Sequence, residues 1–541
     1  MAGGSYDYII VGGGSAGCVA ASRLVGEFGA RVLMLEAGGD YKDWILKVPA
    51  GFSKILDGDR YLTQHQTVPQ GQLGGRVQII PQGKVLGGGS SINAQGYMRG
   101  RAADYDIWGE MTGSDLWSWP AILPHFTRME RNQRLNNTLH GIDGPLYVSD
   151  PGFICEMSHI FVKTLQGMGL PLASDFNNGA PSGVGYLQLT AGGMPRRRCS
   201  AVDAFITPLA ANPNLTILTG ARVERIVIDK GRATGVEYVH EGERQVASAD
   251  GEVLLAAGAF VSPQLLMLSG VGPADDLRAL GIDVVADVPG VGRNLQDHAG
   301  APVAAEAPGR YGYFMQDTGI GMLANGIEYV MFGRGRVATN GVEACSYHVP
   351  EDGTGDPVIQ IYCVPKTSYI DKDVRGVPDI DGVTLHAVLL RPKSRGWLKL
   401  RSANPRDLPL INPNYLGHPD DVRHLRDGMR AARDILAARP LSDIVRKEVL
   451  PGGDARSDAE IDEHVRRTVK TDYHPVGTCR MGSDTDADAV LGADLRVRGI
   501  ERLRVIDASV MPKLVSANTN APTMALADRA ITIIRGIGGL Q

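Results

Sequence analysis

The chain has 541 residues, of which 43% are hydrophobic and 21% are charged, and its formal net charge is −5. This length predicts two domains or one large two-lobed unit, and the composition excludes a disordered or membrane-embedded chain. The small negative balance provides no basic stripe for a phosphate backbone, so we expect no nucleic-acid partner.

The first residues show no basic segment followed by an apolar stretch, and no apolar run approaches the roughly eighteen residues of a membrane-spanning helix. We therefore expect a cytoplasmic protein without a membrane span. The six cysteines are scattered and form no CxxC pair, which argues against a zinc site or a disulfide framework and predicts buried, reduced thiols. The sequence has no HExxH motif or Cys/His cluster, so we expect no metal.

The first 36 residues predict a dinucleotide site. A short apolar strand-like run, a GxGxxG turn, a helical pattern and a second apolar run follow one another, with turn glycines at Gly12, Gly14 and Gly17 and an acid, Glu36, at the end of the second run. Glycines allow the tight turn and the close approach of backbone N–H groups to a pyrophosphate, and the acid accepts hydrogen bonds from a ribose. The motif does not by itself separate NAD from FAD.

A second glycine cluster, GKVLGGGSSINAQGYMRG at 83–100, follows a short strand-like segment. Its small residues would let the backbone approach a second flat or phosphate-bearing group, with Ser90, Ser91 and Asn93 as polar contacts. Alone, such a loop is a flexible turn more often than a site. Together with the first motif, it resembles the signature loop of the glucose-methanol-choline (GMC) family of FAD-dependent oxidoreductases.

The resemblance continues along the chain. GAFVSPQLLMLSGVGP at 258–273 and PGVGRNLQDH at 289–298 resemble the family's second signature and the stretch after it, and residues 472–482 and 504–530 are similar to its catalytic end. Within the family, the chain most resembles bacterial dehydrogenases of primary alcohols and of sugars such as L-sorbose. The resemblance implies an α/β fold in which an FAD-binding, Rossmann-like domain joins a substrate domain built on an antiparallel sheet.

The resemblance also implies a discontinuous domain layout. The FAD-binding domain would take residues 1–45, 70–110, 215–300 and 465–541, the substrate-binding domain 150–214 and 301–464, and connecting or lid segments 46–69 and 111–149. Local patterns agree: NLTILTGARVERIVID and GEVLLAAGAF have the apolar runs of a buried sheet, and SPQLLMLSG indicates a helix that stops at Gly270. GVTLHAVLLRPKSRGWLKLRS indicates two strands joined by a turn.

The resemblance assigns the cofactor contacts residue by residue. FAD is expected to bind at Gly12, Gly14, Ser15, Ala16, Gly17, Glu36, Ala37, Val85, Gly88, Ser90, Ser91, Asn93, Val223, Ala257, Gly258, Asp507, Ala508, Asn520, Pro522 and Thr523. Some family members attach FAD covalently through a histidine where this sequence has Ile92. Because isoleucine has no nucleophile, we expect noncovalent FAD.

Oxidation of an alcohol requires a hydride acceptor, a base for the hydroxyl proton and a donor that holds the developing alkoxide. By resemblance, His474 is the base and Asn520 is the neutral donor beside it. Pro475 favours an extended, irregular backbone at His474. Pro522 and Gly536 indicate the first turn and the end of a helix, whose positive N-terminus would point at the flavin N1 and C2 carbonyl.

The expected reaction is FAD-dependent oxidation of a neutral primary alcohol, such as a polyol, a sugar or an aryl alcohol, to the aldehyde, with a quinone or another electron acceptor. An oxidase that passes electrons to O₂ and yields hydrogen peroxide is the near alternative, and a hydroxynitrile lyase with non-redox FAD is the distant one. Asp472 and Tyr473 lie beside the base where control over O₂ is expected, but their role stays open. We expect His298 to be structural and His464 to lie at the surface. The sequence does not indicate the oligomeric state.

Overall fold

The computed structural model describes residues 5–350, 355–367 and 379–536. Two large sheets organise the chain. Their strands, in chain order, are β1 (Tyr6–Val11), β2 (Val32–Glu36), β3 (Leu172–Ala173), β4 (Gly183–Tyr186), β5 (Leu215–Thr219), β6 (Arg222–Asp229), β7 (Arg232–His240), β8 (Glu243–Leu255), β9 (Ala299–Glu306), β10 (Ala344–His348), β11 (Ile359–Val364), β12 (Gly382–Leu389), β13 (Lys447–Leu450), β14 (Lys470–Thr471) and β15 (Leu503–Val505).

The helices are α1 (Ser15–Gly26), α2 (Gly51–Leu56), α3 (Gly89–Ile92), α4 (Ala102–Thr112), α5 (Trp119–Met129), α6 (Glu156–Gly167), α7 (Gly258–Leu268), α8 (Ala274–Ala279), α9 (Gly319–Phe332), α10 (Pro419–Ala437), α11 (Asp458–Thr468) and α12 (Asn520–Ile534). None in the described ranges is long and apolar enough to cross a membrane.

The first sheet has the order β5-β2-β1-β8-β7-β6, with β15 beside β8. Strands β5, β2, β1, β8 and β15 run parallel, and β6, β7 and β8 form an antiparallel ribbon that extends from this core. All five residues of β2 are buried, as expected for a parallel strand with both faces covered. Helices α1 and α12 pack against each other, and a buried ion pair of 2.7 Å joins Arg23 to Asp528 between them.

The second sheet has the order β13-β9-β12-β11-β10-β4-β3, with β14 beside β9, and is antiparallel except for the short pair β3 and β4. Helix α10 covers it with Leu425, Met429 and Ile435, all buried. Each such side chain contributes about 1.5–3 kcal/mol of burial free energy. The parallel and antiparallel sheets together confirm the fold class predicted from the sequence.

Several local predictions can be compared with the structure. Helix α7 ends at Leu268, and Gly270 follows with a φ of 81°, so the predicted stop is confirmed. All six cysteines are buried and unpaired, as expected. The expectation for His464 is wrong: it is buried in α11, where its Nε2 donates to the carbonyl oxygen of Pro302 at 3.0 Å. The two strands expected around PKSRG exist, but only the first belongs to the large sheet, since Trp397–Lys399 pairs with Leu410–Asn412 in a separate ribbon.

Candidate active site

A cavity of about 1640 Å³ lies between the two sheets. The carboxyl ends of β1 and β2 and the start of α1 line one end, and residues of β11, β12 and the segment 472–475 line the other. Ordinary small-molecule sites measure roughly 300–1,000 Å³. The cavity is therefore large enough for a dinucleotide together with a second, smaller molecule.

At the first end, the backbone leaves no room for side chains. A Cβ atom on Gly12, whose φ is 101°, would lie 2.5 Å from the carbonyl oxygen of Ala256, and one on Gly17 would lie 2.1 Å from the carbonyl oxygen of Gly12. Gly14 forms the N-cap of α1. These glycines bring the first turn of α1 close to the strand ends, so that its free N–H groups face the cavity.

The second glycine loop packs directly on the first. The N–H group of Gly87 donates to the carbonyl oxygen of Gly13 at 2.7 Å. Gly88 has a φ of 51° and a ψ of −131°, and a Cβ atom there would lie 2.9 Å from the Cα atom of Gly14. The two loops together form a concave cradle of backbone, and a side chain at Gly12 or Gly88 would clash with the opposite wall.

Glu36 closes this end of the cavity. One carboxylate oxygen accepts from the N–H group of Gly13 at 2.8 Å and the other from Gly38 at 2.7 Å. Burial raises the pKa of Glu36, and these two hydrogen bonds oppose that shift. Each oxygen keeps a second acceptor position for a ribose hydroxyl. The glycine cradle, the start of α1 and this acid fit the pyrophosphate and adenosine ribose of FAD.

Most predicted cofactor contacts line the cavity. They are Gly12, Gly14, Ser15, Ala16, Glu36, Ala37, Gly88, Asn93, Val223, Ala257, Gly258, Asp507, Ala508, Asn520 and Thr523. Gly17, Val85, Ser90, Ser91 and Pro522 do not line it. Gly17 instead permits close packing of α1, and Val85 and Pro522 are buried in the protein interior.

The hydroxyl groups of the two serines in the second loop form hydrogen bonds within that loop. Ser90 donates to the carbonyl oxygen of Gly87 at 2.6 Å, and Ser91 donates to that of Leu86 at 2.8 Å. Both side chains are buried. The expectation that these hydroxyls face a ligand is therefore wrong, because they hold the tight turn in place.

Asn93 lines the cavity, but its side-chain oxygen is already engaged. It accepts from Nη1 of Arg198 at 2.7 Å and from the N–H group of Gln95 at 3.0 Å. Arg198 is buried and also donates to the carbonyl oxygen of Ser90. This arginine therefore fixes the second glycine loop, a role that the sequence did not indicate.

At the other end of the cavity, His474 lies in an irregular segment outside any helix or strand, as expected from the proline that follows it, Pro475. The preceding residue, Tyr473, has a left-handed φ of 67°, and its N–H group donates to the hydroxyl of Thr471 at 2.8 Å. The N–H group of His474 donates to the buried carboxylate of Asp297 at 2.8 Å. These two hydrogen bonds connect the strained turn at Tyr473 to Thr471 of β14 and to Asp297. They fix the backbone that carries the imidazole of His474.

A chain of hydrogen bonds sets the proton positions on His474. Nε2 of His298 lies 3.2 Å from the carbonyl oxygen of Leu390 and must donate, because a carbonyl only accepts. Burial lowers the pKa of His298 to about 3, with the His474 charge as the next cause, so its ring is neutral. Its Nδ1 therefore accepts from Nδ1 of His474, 3.0 Å away. Nε2 of His474 is left with a lone pair.

That lone pair faces Asn518. Nδ2 of Asn518 lies 3.2 Å from Nε2 of His474, and the amide oxygen of Asn518 accepts from the hydroxyl of Tyr362 at 3.2 Å. The two bonds agree on one orientation of the amide, with its NH₂ group toward the histidine. His474, Asn518 and Tyr362 all line the cavity.

The structure corrects the predicted position of Asn520. Its side-chain oxygen accepts from the hydroxyl of Ser15 at 2.7 Å, at the start of α1. The neighbour of His474 is instead Asn518, two residues earlier. Asn520 is the first residue of α12, whereas Asn518 lies before the helix, and the chain turns between them. The predicted first turn at Pro522 and the stop near Gly536 are both confirmed.

The carboxylate of Asp472 lies beside the imidazole of His474, where the sequence placed this residue with an open role. Oδ2 of Asp472 lies 3.7 Å from Nδ1 of His474, and Oδ1 lies 3.7 Å from Nε2 of His386. Burial would raise the pKa of Asp472, but the neighbouring histidines, His386 before His474 and His298, lower it overall. The carboxylate is thus ionised. Lys470 lines the cavity beside this group.

The pKa of His474 results from two opposing influences. Burial lowers it, and the charge of Asp472 raises it in part. His474 is therefore neutral near pH 7 and has an adjacent anion that stabilises its protonated form. An imidazole in this state can accept a proton from a hydroxyl group placed against Nε2.

Comparison with known proteins agrees with this geometry. The GMC oxidoreductase models for the amino-terminal and carboxyl-terminal parts match residues 6–300 and 392–527. Mitochondrial choline dehydrogenase of Mus musculus is 39% identical over 99% of this chain and 90% of its own, and alcohol dehydrogenase (acceptor) of Pseudomonas putida is 39% identical over 98% and 95%. A structure of formate oxidase from Aspergillus oryzae, which was solved to study the effect of a mutation on FAD modification, superimposes on this chain with a TM-score of 0.91. The two sequences are 27% identical, and the match covers 99% of each chain.

Proposed function

Since this chain belongs to the GMC oxidoreductase family, whose FAD-dependent members act on alcohols, we propose that it oxidises a primary alcohol to the aldehyde with His474 as the general base. Asn518 holds the substrate oxygen, and the electrons pass to a quinone or another acceptor. The first sheet and its glycine loops form the FAD-binding part, and the antiparallel sheet provides the substrate wall. When bound, FAD supplies the hydride acceptor.

The observation that carries this proposal is the row of contacts from Leu390 through His298 to Nδ1 of His474, from which we infer an unprotonated Nε2. Leu390 and His298 fix the proton on the opposite ring nitrogen, so the ring needs no rotation or tautomer change before it accepts a proton. A base held in the productive state contributes about 10²–10⁴-fold to the rate. The nearby Asp472 carboxylate stabilises the imidazolium that proton transfer produces.

Asn518 supplies the second requirement of the reaction. Its NH₂ group points into the space beside Nε2 of His474, where the substrate oxygen must lie if the histidine is to reach the hydroxyl proton. An amide donates a hydrogen bond without taking up the proton. As the hydroxyl becomes an alkoxide, this bond strengthens and stabilises the developing charge.

The proposal also includes noncovalent FAD. Ile92 lies in the second glycine loop and lines the cavity, and its side chain offers no nucleophile at the position of the family's histidine. Acid precipitation should release all of the yellow chromophore into the supernatant. A yellow protein pellet would contradict this expectation.

The test of the base is an anaerobic stopped-flow measurement of flavin reduction. An alcohol panel first identifies a substrate that bleaches the flavin. With that substrate, His474→Ala should reduce the rate of flavin reduction by at least about 10²-fold and retain FAD. His240→Ala, in β7 and away from the cavity, is the matched control and should react like the parent protein. An unchanged rate in His474→Ala would overturn the assignment.

The electron acceptor needs a separate measurement. The alcohol dehydrogenase of Pseudomonas putida is described as using an acceptor, and on that analogy we expect slow reaction of the reduced protein with O₂ and fast reaction with a quinone or dye. An oxygen electrode that records rapid O₂ consumption with peroxide formation would identify an oxidase instead.

A further inference from the structure

Helix α9 is attached to the protein in an unusual way. Among its 14 residues only Asn325 and Tyr329 are buried. Asn325 Nδ2 donates to the carbonyl oxygen of Gln316 at 2.9 Å, and the hydroxyl of Tyr329 donates to that of Arg196 at 2.7 Å. A surface helix of a water-soluble domain normally buries an apolar stripe and exposes polar groups. Helix α9 does largely the opposite.

The side chains that α9 exposes are large and apolar. Seven of them are between 54% and 87% exposed: Ile320, Met322, Leu323, Ile327, Val330, Met331 and Phe332. Met315 precedes the helix, Met194 lies beside Gly333 at its end, and Trp44 lines the same cavity; all three are more than 60% exposed. We call these ten residues the apolar rim. Contiguous exposed apolar patches of this kind mark interaction surfaces.

Six of the ten residues of the apolar rim border the entrance of the cavity. Five of the α9 side chains, together with Trp44, also line the cavity: Met322, Leu323, Ile327, Val330 and Met331. A side chain that lines a cavity and is more than half exposed to solvent lies at its mouth. The route into the candidate active site is therefore bordered by apolar groups.

Two ion pairs lie at the apolar rim. Glu328 is the only Asp, Glu, Lys or Arg in α9, and its carboxylate lies 3.7 Å from Nε of Arg334. Lys54, which also lines the cavity, pairs with Asp317 at 3.2 Å. Arg197 is exposed and close to Tyr329 of α9, where it adds a positive charge. The rim thus combines apolar side chains with a nearby cation, a combination that suits the headgroup boundary of a membrane.

We propose that the apolar rim docks on a lipid bilayer, with α9 in the plane of the membrane and the cavity mouth facing the acyl chains. A helix of this size is about 21 Å long, which is too short to span the roughly 30 Å hydrocarbon layer. Its apolar side chains can instead enter the boundary between headgroups and acyl chains. Trp44 is suited to the same boundary, where tryptophan side chains are enriched.

A bilayer explains the position of the rim better than a second copy of the chain. A second copy that buried the α9 side chains would also cover the mouth, because most of those side chains border it. A bilayer would cover the same side chains, but the entrance of the cavity would then open into the hydrocarbon part of the membrane. A lipid-soluble alcohol or electron acceptor then enters the cavity directly from the membrane.

The test is flotation of the FAD-loaded protein with phosphatidylcholine vesicles. The parent protein should float with the vesicles, and raising the salt concentration should change the bound fraction little, since apolar insertion drives the binding. The double variant Ile320→Ser/Phe332→Ser should lower the partition coefficient at least about tenfold. Neither residue lines the cavity, so FAD content and activity on a water-soluble alcohol should stay unchanged.

The matched control is Leu172→Ser/Val246→Ser, which removes two exposed apolar side chains elsewhere on the surface and should leave vesicle binding intact. A parent protein that stays at the bottom of the gradient would overturn the proposal. So would a dimer in light scattering that the Ile320→Ser/Phe332→Ser variant dissociates, with no vesicle binding, since a second copy would then cover the rim. Vesicle binding is measured without substrate, so its result is independent of the proposed reaction.

Discussion

The two ends of the cavity are built from different chemical groups. At the dinucleotide end, glycine backbone and N–H groups form the walls, and the contact between Gly88 and Gly14 leaves no space for a side chain. At the catalytic end, side chains from distant parts of the sequence meet, as in the bond between His298 and His474. Substitutions at the first end should therefore act on cofactor binding, and substitutions at the second on rate and pH dependence.

The largest expected effect is at the dinucleotide end. Gly88→Ala places a methyl group against Gly14 and forces alanine into a backbone region that only glycine adopts readily. Strain and overpacking together cost about 4 kcal/mol, or roughly 10³-fold in FAD affinity. The ratio of flavin to protein absorbance after purification measures this loss.

Gly39→Ala is the matched control, since a Cβ atom there meets no atom within 4 Å. It should retain a full complement of FAD. If Gly88→Ala also retained FAD, the second glycine loop could not be part of the cofactor cradle.

The next effect separates Asn518 from Asn520. Asn518→Ala removes the donor beside His474 and should lower the rate of flavin reduction by about 10²-fold, as for other single donors to a developing oxyanion. Its FAD content should be normal. Asn520→Ala, two residues away, should instead weaken FAD binding and leave the rate of the loaded protein close to that of the parent.

Stopped-flow reduction and flavin titration of both variants check this pair. The reverse pattern, with the rate lost in Asn520→Ala and kept in Asn518→Ala, would restore Asn520 as the donor and contradict the geometry described above.

This pair also shows what could be predicted from the sequence. The glycine turns and the irregular chain at His474 depend on a few consecutive residues, so their patterns predicted them. The choice between two asparagines in ANTNAP depends on where α12 begins relative to His474, and no local pattern contains that information. His298 and Arg198 were missed as partners for the same reason, because each acts across more than 100 residues. Asp472 was expected beside the base with an open role, since its distance to the imidazole depends on the turn at Tyr473.

A smaller effect concerns the charge of Asp472. Its carboxylate raises the pKa of His474 while burial lowers it, so Asp472→Asn should lower that pKa further. A base acts in its unprotonated form, and the rate of flavin reduction rises with pH as His474 loses its proton. In the parent this rise should lie below the ordinary histidine value of about 6.5, and in the variant it should move to still lower pH.

The weaker base should also reduce the plateau rate of the variant, by up to about tenfold. The pH dependence of anaerobic flavin reduction measures both changes. A pH profile identical to that of the parent would show that Asp472 acts on His386 and not on His474.

The smallest effect tests the bond between the starts of α1 and α12. The hydroxyl of Ser15, at the start of α1, donates to the side-chain oxygen of Asn520, at the start of α12. Ser15→Ala removes one hydrogen bond of about 1 kcal/mol, so FAD affinity should fall about fivefold and the rate of the loaded protein should stay unchanged. A double-mutant cycle with Asn520→Ala isolates the pair: if the bond positions both helix starts around the cofactor, the double variant should lose less affinity than the two single losses combined. Strictly additive losses would mean that the two residues act on FAD independently.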